Sequence, residues 1–189
     1  MALAYAVDVI ERDKLATLTN YAEYLDRFPP DHEAAIVERS SWSCVHGVER
    51  WRSDCGCTTG SHGPGPAWRR PLREAIDHLQ TALVGLFEER APKALRDPWA
   101  ARDAYIDVVL DRSPENVLRF LSEHSAKKLE RHEEVVALQL LEMQRNAMLM
   151  FTSCGWFFAD VSGIETVQVL HEAARVIQLA GQVSEAELE

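Results

Sequence analysis

Leu72, Ile76, Leu79, Leu83 and Leu86 recur at alternating spacings of four and three, a stripe that fits one face of an α-helix and no face of a strand. Pro71 suits a first helical turn, where its missing N–H has no partner to lose, so a helix is predicted over residues 71–90. Asp97-Pro98 and Ser113-Pro114 each set a capping side chain before a proline, marking helix starts for about 98–111 and about 114–124. Residues 130–151 carry Val135, Val136, Leu138, Leu140, Leu141, Met143, Met148, Leu149 and Met150, which cover more than one helical face, so this helix is expected at the centre. A last helix over about 164–180 puts Ile164, Val167, Leu170, Ala174 and Ile177 on one face, with Val169, Ala173 and Val176 beside it. Residues 3–10 and 18–28 read as two short helices, the second stopped by Pro29-Pro30. No segment alternates convincingly at period two, so the predicted fold class is all-α, a helical bundle.

One segment departs from this pattern. Residues 40–68 hold Gly47, Gly56, Gly60, Gly63, Gly65, Pro64 and Pro66 among aromatic, Cys and His residues, and a loop of that length within a compact domain tends to be functional. The 189 residues fit a single domain with this loop inside it. Met1 opens inside a helical pattern with no capping residue before it, as if the chain were cut from something longer.

Charge and hydropathy narrow the function. Twenty Lys and Arg against thirty Asp and Glu leave a net charge of −10, which repels phosphate backbones and anionic membranes and argues against nucleic acid as a partner. The most apolar region, residues 138–158, is broken by Glu142, Gln144, Arg145 and Asn146, so no membrane span is expected. The N-terminus lacks a basic region and is interrupted by Asp8 and Glu11, unlike a secretory signal, so a cytoplasmic location is expected. Four cysteines in a chain of this length read as reduced thiols rather than a disulfide framework.

Residues 41–57, Ser-Trp-Ser-Cys-Val-His-Gly-Val-Glu-Arg-Trp-Arg-Ser-Asp-Cys-Gly-Cys, are dense in chemically capable side chains. Cys44, His46, Cys55 and Cys57 form a Cys3His set, the soft-ligand complement of structural zinc. Each pair, however, is separated by one residue where zinc knuckles use two to four, so packed reduced thiols without a cofactor are the main expectation and zinc the alternative. A different reading is sugar recognition: Trp42 and Trp51 offer flat apolar faces, with His46, Arg52 and Asp54 as hydrogen-bonding groups at their rims. The same tryptophans serve equally well as anchors pinning the loop to the bundle.

The second cluster runs over residues 151–166. Gly155 is expected to break the preceding helix and Ser162 or Asp160 to cap the next, leaving Trp156, Phe157 and Phe158 at a turn, facing a cleft or plugging the bundle end. Asp160 and Glu165 are the nearby carboxylates, and nothing in their spacing makes them a catalytic pair. His78, His124, His132 and His171 read as surface or satisfied core residues. No phosphate-binding glycine loop, Gly-x-Ser-x-Gly elbow, His-Glu-x-x-His pair or dinucleotide fingerprint is present.

The 41–57 stretch, Ala67-Trp68-Arg69-Arg70-Pro71-Leu72-Arg73-Glu74-Ala75, Leu141-Glu142-Met143-Gln144-Arg145, Thr152-Ser153-Cys154-Gly155-Trp156-Phe157-Phe158 and Ser162-Gly163-Ile164-Glu165-Thr166-Val167-Gln168 together resemble bacterial glycoside hydrolase family 57-like proteins. The resemblance is to their C-terminal helical region, domain of unknown function 3536, and runs over nearly the whole chain. It implies a parent hydrolase or glucanotransferase acting on α-glucans, whose N-terminal distorted (β/α)7 barrel carries a glutamate nucleophile and an aspartate acid. The present chain would be the helical part that closes over the cleft, inactive alone, with the barrel and an oligosaccharide as partners. The acid-bearing segment is placed just upstream of Met1. The 152–160 turn resembles the family's last sequence region, from which Trp156 and Asp160 carry over as substrate contacts beside Trp42, His46, Trp51 and Arg52. Where a typical member has an acidic residue after the serine of that region, this chain has Cys154-Gly155, so contact rather than catalysis is expected there. Against the family it resembles, the stretch over residues 60–67 looks shorter in polar residues. Cut from its barrel, such a domain exposes a docking face and is expected to form homodimers.

Overall fold

The computed structural model describes residues 2–58 and 65–185. The uncapped start at Met1 and the loop residues Gly60, Gly63 and Pro64 lie outside the described residues. The chain order is α1 (Ala2–Arg12), α2 (Tyr21–Arg27), α3 (Glu49–Arg52), α4 (Arg69–Arg90), α5 (Pro98–Ala104), α6 (Ile106–Leu110), α7 (Pro114–His124), α8 (Arg131–Leu149) and α9 (Ile164–Glu185). Among the described residues there is no strand, only an isolated bridge between Leu95 and Ser125, so the fold is all-α. No described helix is long and apolar enough to cross a membrane.

The chain divides into two compact units, residues 1–38 and 39–189. The first holds α1 and α2 and buries none of their residues. The Asn20 side chain caps α2 by accepting the Glu23 N–H, and the helix closes on Phe28, just before Pro29-Pro30.

The second unit is built around α8. Ala137, Leu140, Leu141, Met143 and Ala147 of this helix are fully enclosed, flanked by α4 (Ile76, Leu83, Phe87) and α9 (Val169, Val176, Leu179, Val183). The capping pairs read from the sequence act as expected. The Asp97 carboxylate accepts the Ala100 N–H at 3.0 Å and the Ser113 hydroxyl accepts that of Asn116 at 3.4 Å. Glu130 and Glu133 form a capping box at the start of α8, and Lys127 pairs with the buried Glu133 at 2.9 Å.

Three expectations need correction. The helix expected over 98–111 is broken into α5 and α6 at Tyr105, whose N–H bonds back three residues to Arg102 rather than four. Tyr105 is buried there, its hydroxyl donating to the Glu142 carboxylate at 3.0 Å. On α9 the first of the two expected stripes faces solvent at Ile164, Leu170 and Ile177, while the stripe expected beside it is the buried one at Val169 and Val176, continued by Leu179 and Val183. Both stripes are apolar, and contact with α8 selects between them. At the end of α8, Gly155 is not the breaker. The helix already stops at Leu149, where successive i−3 bonds to Met148 and Leu149 and the Thr152 hydroxyl on the Leu149 carbonyl tighten the chain.

Candidate functional site

Two tight turns in the 39–58 loop generate the first part of the site. Gly47 lies at φ 66° and Gly56 at φ 73°, a conformation that side-chain-bearing residues rarely adopt, and a Cβ on Gly47 would sit 2.3 Å from the Arg39 carbonyl. The Gly47 N–H bonds to the Cys44 carbonyl at 3.1 Å, and the Gly56 N–H to the Asp54 carboxylate at 3.1 Å. The first turn presents Cys44 and His46, the second Cys55 and Cys57. Their ligand atoms all lie within 4.8 Å of one another. Cys44 Sγ is 3.7 Å from Cys55 Sγ, 3.8 Å from Cys57 Sγ and 3.8 Å from His46 Nδ1, and Cys57 Sγ is 3.3 Å from the same nitrogen. The four cysteines are free thiols, with Cys44 buried and Cys154 exposed and outside the cluster.

Two arginines that the sequence reading gave no role fasten this loop to the bundle. Arg50, 1% exposed, donates to the Ser43 carbonyl at 2.8 Å and stacks on Phe157, 4.9 Å from its ring centre. Arg69, 0% exposed, donates to the carbonyls of Cys57 at 2.7 Å, Phe157 at 3.2 Å and Phe158 at 3.0 Å. Indole N–H groups complete the seam: Trp51 to the Ser153 carbonyl at 2.8 Å, Trp68 to that of Ala159 at 2.9 Å, and Trp156 to that of Arg69 at 3.3 Å. The 41–57 and 151–166 clusters, about 100 residues apart in sequence, are thus one place in the fold. The signal for the arginines was each one's position next to a tryptophan, Arg50-Trp51 and Trp68-Arg69.

The electrostatics follow from burial and crowding. Burial acts to raise the Cys44 thiol, but hydrogen bonds from His46, Cys55 and Cys57 outweigh it and bring its pKa down to about 7. Cys57 is pushed up, by burial first and then by Cys44 and Cys55. Burial also lowers Arg69, helped by the charge of Arg50 and opposed by Cys55, Asp54 and Cys57.

Beside the cluster lies an open groove of about 350 Å³ lined by Trp42, Ser43, Trp51, Ser153, Cys154, Phe157, Phe158 and Glu165. Trp42 is 92% exposed and its ring centre lies 5.9 Å from that of Phe157. Of the six expected sugar contacts, Trp42 and Trp51 line this groove. His46 turns Nδ1 to the sulfurs, and Arg52 is an exposed residue paired with Glu49 at 3.3 Å. Trp156 is 2% exposed and belongs to the core. Asp160 accepts the N–H and hydroxyl of Ser162, both at 2.8 Å, which lowers its carboxyl and closes a turn before α9 rather than capping the helix.

The model of one protein family matches residues 66–189, more than half of the sequence. The chain belongs to DUF3536, a domain of unknown function. The DUF3536 match runs from the segment before α4 to the C-terminus and includes Arg69, the 153–159 turn and Glu165. It is shorter than the span over which the motifs were compared, and Cys44, His46, Cys55 and Cys57 precede it. No curated protein and no solved structure matches the chain.

Proposed function

We propose that this DUF3536 chain is the helical, cleft-side part of a glycoside hydrolase family 57-like protein, contacting an α-glucan-type oligosaccharide while a barrel domain supplies the catalytic carboxylates. The observation that carries the reading is the Trp42 indole, almost wholly exposed, at the wall of a groove that also holds Trp51, Phe158 and the Glu165 carboxylate. A water-facing indole of this kind is unusual for a residue with no ligand, because it leaves a large apolar face in solvent. Pyranose rings present apolar C–H faces with hydroxyls at the rim, which this mixture of aromatic surface and a few polar groups complements. Trp156 supports the groove from within the core rather than touching sugar, and Ser43, Ser153 and Glu165 replace His46, Arg52 and Asp160 as the polar contacts. The motif resemblance supplies the substrate class.

The test is tryptophan fluorescence of the chain titrated with maltooligosaccharides, with cellooligosaccharides as the linkage control. A saturable change with maltohexaose, abolished in Trp42→Ala at unchanged far-UV circular dichroism, is the expected result. Absence of a saturable change in the unmodified chain, or unaltered affinity in Trp42→Ala, overturns the proposal.

A further inference from the structure

We propose that Cys44, His46, Cys55 and Cys57 bind one zinc ion, a structural centre that holds the 43–57 loop on the 153–159 turn. The distances carry the argument. An ion at about 2.3 Å from each sulfur and about 2.0–2.1 Å from the imidazole nitrogen, with tetrahedral angles, sets neighbouring sulfurs about 3.8 Å apart and sulfur and nitrogen about 3.5 Å apart. The observed sulfur separations are 3.7 and 3.8 Å, and the sulfur–nitrogen separations 3.3 and 3.8 Å. Four of the six edges of the set thus match the tetrahedron that zinc requires, and the other two, from Cys55 to Cys57 and to His46, lie within 4.8 Å, a contraction that ligation would complete. They are far from the roughly 2.05 Å of a disulfide, and a disulfide would leave one of the three thiols over.

The one-residue spacing that counted against a metal is resolved by the turns. Gly47 and Gly56, both at positive φ, turn the chain at each Cys-x-His or Cys-x-Cys pair, and the ligand atoms of both pairs come within 4.8 Å of one another. The second, independent observation is charge. Arg50 and Arg69 are buried, neither forms an ion pair with a carboxylate among the described residues, Asp54 acting on Arg69 only through its charge, and the Nε atoms of both lack a hydrogen-bond partner. Buried guanidinium groups without a directly paired anion are unfavourable. Both are tied to the ligand loop, Arg50 through the Ser43 carbonyl and Arg69 through that of Cys57. When Zn²⁺ replaces the protons of three thiols, which pass to solvent, the centre carries a net charge of −1 and sets an anion beside both guanidinium groups. With four protein ligands no coordination position is left for water or substrate, so the ion acts in structure and not as a Lewis acid. Soft thiolates with imidazole select zinc over magnesium or calcium. The site is independent of the sugar reading and is tested with no sugar present.

The experiment is elemental analysis of the 189-residue chain purified without chelator from zinc-supplemented cells, coupled to thiol counting under native conditions. One zinc per chain is expected, with only Cys154 reacting rapidly with a thiol reagent and all four thiols reacting after a strong chelator. Cys154→Ser is expected to keep the full complement, and Cys57→Ser or His46→Asn to lose most of it. Because loss of metal in those variants does not separate ligation from misfolding, cobalt titration of the apo form provides a readout on the unaltered chain: a thiolate-to-cobalt charge-transfer band and the intense visible bands of a tetrahedral site. Substoichiometric metal with no such bands, equal thiol counts before and after chelator, or equal metal loss in Cys154→Ser and Cys57→Ser overturns the proposal. Zinc retained in a chain that ignores maltooligosaccharides sinks the groove alone; sugar binding without zinc sinks the metal site alone.

Discussion

Gly155→Ala is the substitution whose effect the packing fixes most sharply. Gly155 is buried in the turn that follows α8, and a Cβ built there stands 2.5 Å from Val169 Cγ2 and 3.4 Å from Val169 Cβ. Ordinary contact begins near 3.4 Å, so the turn and α9 must separate by about 1 Å, and Val169 cannot swing aside because it is 1% exposed and β-branched. Overpacking of this kind costs about 1–3 kcal/mol. For a unit of this size each kcal/mol moves the melting temperature by about 2–4 °C, so the expected fall is about 2–12 °C. The internal controls carry the opposite sign. Gly85 in α4 and Gly181 in α9 are exposed helical positions with nothing within 4 Å of an added Cβ, and alanine at each is expected to stabilise by about 0.5–1 kcal/mol. Thermal melts followed at 222 nm give all three values. The Gly155→Ala, Val169→Ala pair should be less destabilised than the sum of its single changes, since truncating Val169 removes the clashing atom. Gly155→Ala melting with or above the parent chain would refute the close-packing argument.

The Glu142 carboxylate meets the Tyr105 hydroxyl at 3.0 Å, Arg112 at 2.7 Å and Arg145 at 3.2 Å. Burial acts to raise its pKa, but the hydrogen bonds from Arg112 and Tyr105 and the two positive charges prevail and hold it below the usual carboxylate range, while burial first and Glu142 second push Tyr105 up. A carboxyl held low in the folded state contributes stability that is present above the unfolded value of about 4.3 and is lost as pH falls through the folded one. Denaturant midpoints between pH 7 and pH 3 should therefore drop less steeply in Glu142→Gln than in the parent, Glu133 accounting for part of the remaining slope because Lys127 holds it low as well; parallel curves would refute this. Asp97→Ala removes the cap at the start of α5 and is expected to cost about 1 kcal/mol in urea denaturation, with no effect on metal content or sugar-dependent fluorescence.

The helices were legible because their signals are local. Asp97-Pro98 and Ser113-Pro114 set their starts through side chains three residues from the N–H groups they cap, and the four-three stripe of α4 names its own buried face. Where two apolar stripes share one helix, as in α9, local pattern has no preference to express, and the partner helix decided. The break at Tyr105 likewise depends on Glu142, 37 residues away.

The candidate site divides along the same line. By itself the sequence determined which donors exist: three cysteines and a histidine in one short loop, with tryptophans beside them. Only the tertiary structure decided that the donors face inward together, because φ values at Gly47 and Gly56 and anchors at Arg50 and Arg69 are not encoded in ligand spacing. It also decided that Trp156 is core and Trp42 surface, although both are tryptophans in motif-rich segments. Burial of a side chain is a property of what packs against it, and for Trp156 that is the backbone of Arg69, 87 residues away.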